Sequence, residues 1–427
     1  MKKLSYEKLD LDIYTETLKN GLRVFLCKIP RNEIHARMTA MFGGSTLEFK
    51  LKGEKGFTKV PAGIAHFLEH KMFEKEDYDP LQIYERNGAS ANAFTSEFIT
   101  SYHFTGVNNF FENLNNLLRC VHEPYFTYEN VEKEKGIIAQ EKKEDLDSVY
   151  YIVHDKALMN TFKNLDYKNT VLGSLEDIAS ITKEDLYNTY NTFYHPSNMI
   201  LTISGNIDID GTMKFIKDYY SRHDFGKAKE IEIKEKDEPT KVVKEKEIIY
   251  KENQTKEIYI NYKVKKNNKL DDRYLSRIYM NIYLAMKFSG LSELSDITTK
   301  DKNFLSGINA RMEEVGNFYI LSFNVTVKDD TDMAVKLIDD TLKDMNFDEH
   351  RFDLIKKANL NSLILSTENV GEICSMIVNQ MRLYNGLVTN MYFKLFNLDF
   401  DAFKNFIKDI DLNNRCVVIL EPKKGDN

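Results

Sequence analysis

The chain has no tryptophan, so its aromatic core volume must come from 24 tyrosines and 27 phenylalanines. Its four cysteines, Cys27, Cys120, Cys374 and Cys416, are widely spaced and form no CxxC pair. That argues against a disulfide framework and a thiolate metal site, and it suits reduced thiols in a cytoplasmic protein. No apolar run approaches the ~18–20 residues needed to span a bilayer, so no membrane partner is expected. The start, Met1-Lys-Lys-Leu-Ser-Tyr-Glu, has two lysines but no apolar core, and it does not read as a secretory signal. A basic excess is missing too: the net charge of -7 argues against nucleic acid as the main partner, which would need a cationic face.

At 427 residues the chain exceeds what one hydrophobic core usually holds, so two domains are expected. The clearest composition shift lies near 226–256, dense in Lys and Glu around Pro239. It reads as a solvated inter-domain segment leading into a strand, with domains at 1–230 and 231–427. The halves look like copies of one plan. Glu184-Asp-Leu-Tyr-Asn-Thr-Tyr runs into Asn198-Met-Ile-Leu-Thr-Ile-Ser, and Phe400-Asp-Ala-Phe-Lys-Asn-Phe runs into Asn414-Arg-Cys-Val-Val-Ile-Leu. Asp185 with Asp401, Tyr187 with Phe403, Tyr190 with Phe406 and Asn198 with Asn414 keep one offset through helix and strand. Strands are expected at Arg23–Cys27, Arg37–Phe42, Ser90–Phe94 and Ile99–Phe104. Helices are expected at Ala62–Glu74 behind Pro61, Leu81–Asn87, Asn109–Val121 and Tyr128 to about Phe162, with Thr182 as a further N-cap. Helices and strands mix without strict βαβ alternation. The expected class is therefore α+β, two homologous domains that each pack helices on a largely antiparallel sheet.

The chemistry concentrates in Gly63-Ile-Ala-His66-Phe-Leu-Glu69-His70-Lys-Met-Phe. On a helix, His66 and His70 stack one turn apart and can meet one ion, and Glu69 projects from the same side. This HxxEH order inverts HExxH. A catalytic zinc usually takes a third protein ligand, and Glu134 and Glu141 lie seven apart on a predicted helix, about two turns, facing one way. Glu141 is assigned as the ligand and Glu134 as a supporting carboxylate, with the reverse assignment, or Glu144, left open by the residues alone.

Four stretches, Gly63-Ile-Ala-His-Phe-Leu-Glu-His, Asn92-Ala-Phe-Thr-Ser, Glu132-Lys-Glu-Lys-Gly-Ile-Ile-Ala-Gln-Glu and Phe193-Tyr-His-Pro-Ser-Asn-Met, together resemble the pitrilysin/insulinase family of zinc peptidases, in its bacterial YmfH-like branch. The resemblance implies His66, His70 and Glu141 as ligands of one zinc, Glu69 as general base, and Glu134 as a supporting glutamate counted with the catalytic residues. It implies that Asn92, Ala93, Phe94 and Thr95 form an edge strand to which a peptide substrate adds. It also implies two homologous domains per chain, closing with a partner around a chamber.

One departure bears on activity. Many active members carry an Arg and a Tyr in the second half, and this chain has Thr298-Thr-Lys-Asp-Lys-Asn-Phe-Leu-Ser-Gly at the expected place, with Arg311 and Tyr319 nearby but in no clear motif. The expectation is a metal-bearing endopeptidase subunit cutting short or unfolded peptides, with a homologous chain, or a second copy of itself, supplying that pair. The rival is a non-catalytic peptide-binding or scaffold subunit of the same fold, and a third option is a metal hydrolase of non-peptide substrates. His195 is expected to order a loop before a strand, and Tyr102 and His103 to pack beside the edge strand. His122, His154, His223 and His350 have no evident partners in the sequence.

Overall fold

The computed structural model describes residues 1–423, apart from 229, 253–254 and 267–269. The chain folds into two compact units that exchange segments. One holds Met1–Lys142, Asn169–Glu235 and Ser362–Tyr392; the other holds Lys143–Lys168, Lys236–Asn361 and Phe393–Asn427.

The first unit contains strands β1 (Lys2–Tyr6), β2 (Leu11–Thr17), β3 (Arg23–Lys28), β4 (Ile34–Ala40), β5 (Glu48–Leu51), β6 (Thr58–Lys59), β7 (Ser90–Thr95), β8 (Thr100–Gly106), β9 (Met199–Gly205) and β10 (Ile231–Ile233). Seven form one sheet in the order β1-β2-β3-β9-β4-β8-β7, and β10-β5-β6 form a smaller one. All seven residues of β4 are buried, because both faces of the sheet are covered there. Side chains alternate along a strand. Ala36, Met38 and Ala40 therefore join Tyr102, Phe104, Leu201 and Ile203 in the main core. His35, Arg37 and Thr39 point the other way, beside Ser101, His103 and Thr202. Helix Val370–Tyr384, from the far end of the chain, packs over β4 and β9 on that polar face.

The second unit has β11 (Lys246–Lys251), β12 (Lys256–Lys265), β13 (Asn309–Val315), β14 (Phe318–Val327) and β15 (Arg415–Pro422), in the order β11-β15-β12-β14-β13. Strand β15 runs parallel to β11 and antiparallel to β12, as β9 does to β3 and β4. The two sheets thus repeat one wiring, β3-β9-β4-β8-β7 against β11-β15-β12-β14-β13, and each repeat brings a helix (Lys183–Phe193, Phe400–Lys408) ahead of β9 or β15. The register shared by Asp185 and Asp401, or Asn198 and Asn414, falls on those equivalent elements.

Four helices matter for the site: α1 (Ile64–Lys71), α2 (Pro80–Arg86), α3 (Phe110–His122) and α4 (Tyr128–Asp147), the last running past the end of the first unit's segment at Lys142. The long helix expected from Tyr128 to Phe162 is instead two. It breaks at Ser148, whose backbone is extended, and α5 (Val149–Thr161) follows in the second unit. The cause is partly tertiary. Val131 and Ile138 belong to the first core, whereas Val153 and Ala157 pack with Tyr259, Cys416 and Val418.

The helix expected over Ala62–Glu74 is also shorter than its pattern. Gly63 caps α1 at φ 90, and a Cβ there would stand 2.2 Å from the Leu172 carbonyl oxygen. Gly173, at φ 77, meets the Ala62 carbonyl equally closely. Two glycines thus lock a distant loop against the start of α1 and leave Pro61 and Ala62 outside the helix. Ile64, Phe67 and Leu68 are buried below it, each worth roughly 1.5–3 kcal/mol, which fixes the helix on the sheet.

The Lys/Glu stretch near 226–256 is not uniformly a solvated face. The Glu238 side chain is 3% exposed, accepts hydrogen bonds from the backbone N–H groups of Lys163, Asn164 and Leu165, and pairs with the buried Lys263 at 2.6 Å. A charge run gives no sign of which member the second unit will enclose.

Candidate metal centre

Helix α1 brings His66 and His70 together, with ring centroids 4.6 Å apart, and α4 brings Glu141 across from them. Glu141 oxygens lie 3.7 Å from His66 Nε2 and 3.7 Å from His70 Nε2, and the three candidate ligand atoms fall within 4.8 Å of one another. Ligands about 2 Å from a tetrahedral ion stand roughly 3.3 Å apart, so this donor set fits a cation such as zinc. Glu144 is exposed and outside the cluster.

Glu134, two turns before Glu141, has a different place. Its Oε1 lies 2.9 Å from His70 Nδ1. An ionised carboxylate only accepts, so Nδ1–H is the donor and His70 Nε2 keeps its lone pair toward Glu141. Burial lowers the pKa of His70, but the hydrogen bond and charge of Glu134 outweigh it and leave it raised. For Glu134 burial acts upward, and the bond to His70 with the nearby lysines brings it below its ordinary value. His66, 8% exposed, is held neutral at about 4 by burial and by His70. Its Nδ1 is buried and has no protein partner.

Glu69 projects beside the two imidazoles. Burial raises its pKa, opposed by a hydrogen bond from Thr95 Oγ1 at 2.7 Å. Thr95 ends β7, so this bond ties the candidate base to the edge strand. Strand β7 pairs with β8 on one side and is the last strand of its sheet. Ala91 and Ala93 pack toward the core, while Asn92 and Phe94 are exposed on the opposite face. The free side of β7 therefore offers backbone groups next to Glu69.

Sequence reasoning missed Lys71. It is fully buried, and its ammonium contacts the Glu74 carboxylate, the Asn130 carbonyl at 3.3 Å and Glu134 Oε2 at 3.9 Å. Its position next to His70 was the only available signal. The other residues singled out have ordinary partners. His195 Nδ1 accepts from the Ser197 N–H and caps the turn before β9, as expected. Tyr102 is buried against the Tyr194 hydroxyl. His122 Nε2 is 2.7 Å from the Tyr220 hydroxyl, His223 donates to the Tyr219 carbonyl, His154 packs between Tyr150 and Tyr259, and His350 is exposed. In the second unit Arg311 donates to the Tyr259 hydroxyl at 2.9 Å, while Tyr319 is buried.

Comparison with known proteins agrees with this geometry. Residues 58–175 match the domain described as Insulinase (Peptidase family M16), and residues 180–359 match the Peptidase M16 inactive domain. The "uncharacterized zinc protease YmfH" of Bacillus subtilis is 40% identical over 250 residues, 58% of each chain. The Caenorhabditis elegans mitochondrial-processing peptidase subunit beta is 28% identical over 48% of this chain and 43% of its own length. The aligned region spans about half the length of the curated relatives it matches. A crystal structure of an M16-like peptidase from Alicyclobacillus acidocaldarius superposes with a TM-score of 0.90 at 24% identity, covering 98% of this chain and 100% of that one. A protease from Helicobacter pylori gives 0.82 at 18% identity, covering 96% and 99%. Those two likenesses establish the fold. Among the described residues no helix is long and apolar enough to cross a membrane.

Proposed function

From a chain that belongs to the pitrilysin/insulinase (M16) family, we infer a zinc-dependent endopeptidase subunit that hydrolyses short or unfolded peptides. The observation that carries this reading is the convergence of His66, His70 and Glu141 on one point with Glu69 beside it. Residues 1–230 would form the metal-bearing domain, and 231–427 its homologue without metal ligands. We further infer a cytoplasmic enzyme closed around its substrate by a homologous chain or a second copy. The four buried, unpaired cysteines are compatible with that compartment.

His66, His70 and Glu141 would hold the ion, and Glu134 would keep His70 turned with Nε2 toward it. A zinc ion held by these three residues would polarise a carbonyl and acidify water. Glu69 receives a proton from the attacking water and delivers it to the leaving amine. Its raised pKa suits a base that must also release the proton. Thr95 fixes the carboxylate, and the peptide lies along Asn92–Thr95 as an added strand held by main-chain hydrogen bonds. The Arg–Tyr pair is assigned to the partner, since Arg311 is engaged with Tyr259.

The test is hydrolysis of mixed quenched peptides by the purified zinc-loaded chain, with Glu69→Gln as control. Cleavage that vanishes in the variant supports the assignment. Zinc binding without cleavage, alone or with homologous chains, would favour the non-catalytic peptide-binding subunit.

A further inference from the structure

The face of the first sheet opposite α1 carries a buried cation that no carboxylate among the described residues contacts, Glu372 acting on it from beyond ion-pair distance. Arg37, on β4, is 9% exposed. Its Nη1 donates to Ser375 Oγ at 2.9 Å, its Nε is buried without a partner, and the described residues give it no ion pair. A buried cation without a contacting carboxylate is costly, and a carboxylate brought to it from outside the fold would lower that cost.

The row in which Arg37 sits leads to the free edge. Thr202 on β9, Arg37 on β4, His103 on β8 and Asn92 on β7 are successive register partners. The next member of that row is a residue of whatever strand adds to β7. The guanidinium leans that way, with Cζ 5.7 Å from the centroid of the Phe94 ring on the edge strand itself. An added strand would run about 4.8 Å beyond β7, so an acidic side chain lying back over β7 can reach a guanidinium that already leans toward Phe94. His103 stands between them, 6.4 Å from Phe94, and its Nδ1 is buried and unpartnered. Burial and the charge of Arg37 hold His103 at about 4, so it stays neutral and offers hydrogen bonds without adding charge.

We propose that Arg37, with His103 and Phe94, forms a subsite for one aspartate or glutamate side chain of the bound peptide, making this chain selective for an acidic residue at the one position that falls in that row and points away from the metal. This rests on the strand-addition reading above and names the substrate class it would prefer. Because side chains alternate, the two positions flanking the preferred one point to the opposite face and must show no preference.

The experiment uses peptide pairs differing only by Glu or Gln at each position around the cleavage site. Binding is measured by fluorescence anisotropy on the zinc-loaded Glu69→Gln variant, and kcat/KM on the wild type. A Glu preference of about ten-fold, the scale of one charge-assisted hydrogen bond, is expected at a single position. Arg37→Gln should bring the ratio to about one. Ser375→Asp, which supplies a carboxylate to Arg37 without removing it, should do the same and covers the case in which Arg37→Gln does not fold. No preference at any position, or a preference that survives either variant, overturns the subsite. Glu-selective binding without turnover, alone or with homologous chains, would sustain the subsite while refuting the peptidase reading, and absence of any peptide binding would refute both.

Discussion

Lys71→Met keeps the length and most of the volume of a fully buried side chain and removes its charge. Three groups lose a partner. The Glu74 side chain is 39% exposed and can turn to water, so its share of the loss is small. The Asn130 carbonyl loses a donor, worth about 1 kcal/mol. Glu134 matters most: its side chain is 11% exposed, and without Lys71 at 3.9 Å it keeps only the His70 imidazole as a close partner. Breaking a wholly buried pair costs about 3–5 kcal/mol, and the 3.9 Å separation and the exposure of Glu74 reduce that here to a total of about 2–3 kcal/mol. Urea unfolding of the metal-free chain measures it. The same change should weaken zinc binding about ten-fold, read by competition with a chromophoric chelator, because an unsupported Glu134 orients His70 less firmly. Glu134→Gln separates an ionic role from packing. If Lys71 acts through the Glu134 charge, the double variant loses little more than the worse single one. A Lys71→Met stability within 0.5 kcal/mol of wild type with unchanged zinc affinity, or fully additive losses, would refute the argument.

Two further outcomes follow from the same structure. Gly63→Ala combines left-handed backbone strain with a clash on the Leu172 carbonyl and should cost about 2–4 kcal/mol, whereas Gly53→Ala, at φ 96 with nothing within 4 Å, should cost about 1; equal losses by thermal unfolding would discount the clash. His35 and His122 are held at about 3 by burial, against an ordinary 6.5, so the unfolded chain takes up their protons first. Stability should therefore be complete above pH 6.5 and fall as pH drops toward 3, by about 2 kcal/mol per histidine at pH 5; urea midpoints that stay level between pH 7.5 and 5 would contradict this.

What the sequence made legible was local or strictly repeated. His66, Glu69 and His70 share a side by helix geometry alone, and Glu134 and Glu141 by two turns of another helix. The duplicated wiring was visible because Asp185–Asn198 and Asp401–Asn414 keep one register across helix and strand. Most misses are long-range. The α4–α5 break is an exception, since it falls at Asp147-Ser148, residue types that favour caps over helix interiors, and the change of core from Ile138 to Val153 completes it. The start of α1 depends on Gly173, 110 positions away from Gly63. Lys71 and Glu238 belong to residue types that usually face water, so burial was not the expectation for either.

The charges around α1 give one reason why these features occur together. Glu69, Glu74, Glu134 and Glu141 crowd one small region with two imidazoles, and Lys71 is a fully buried cation among them. One ammonium cannot balance four carboxylates. It lies on the Glu74–Glu134 side, where it supports the histidine from behind and leaves the space before Glu141 to the two ring nitrogens. A divalent ion bound there would offset the charge that Lys71 leaves, and its binding would stabilise the fold in proportion. The buried lysine and the open ligand set are complementary parts of one electrostatic arrangement. Because Lys71 supports Glu134 and through it His70, removing the lysine should lower the stabilisation lost on chelating the metal, in step with the weaker zinc binding, and only while Glu134 remains charged.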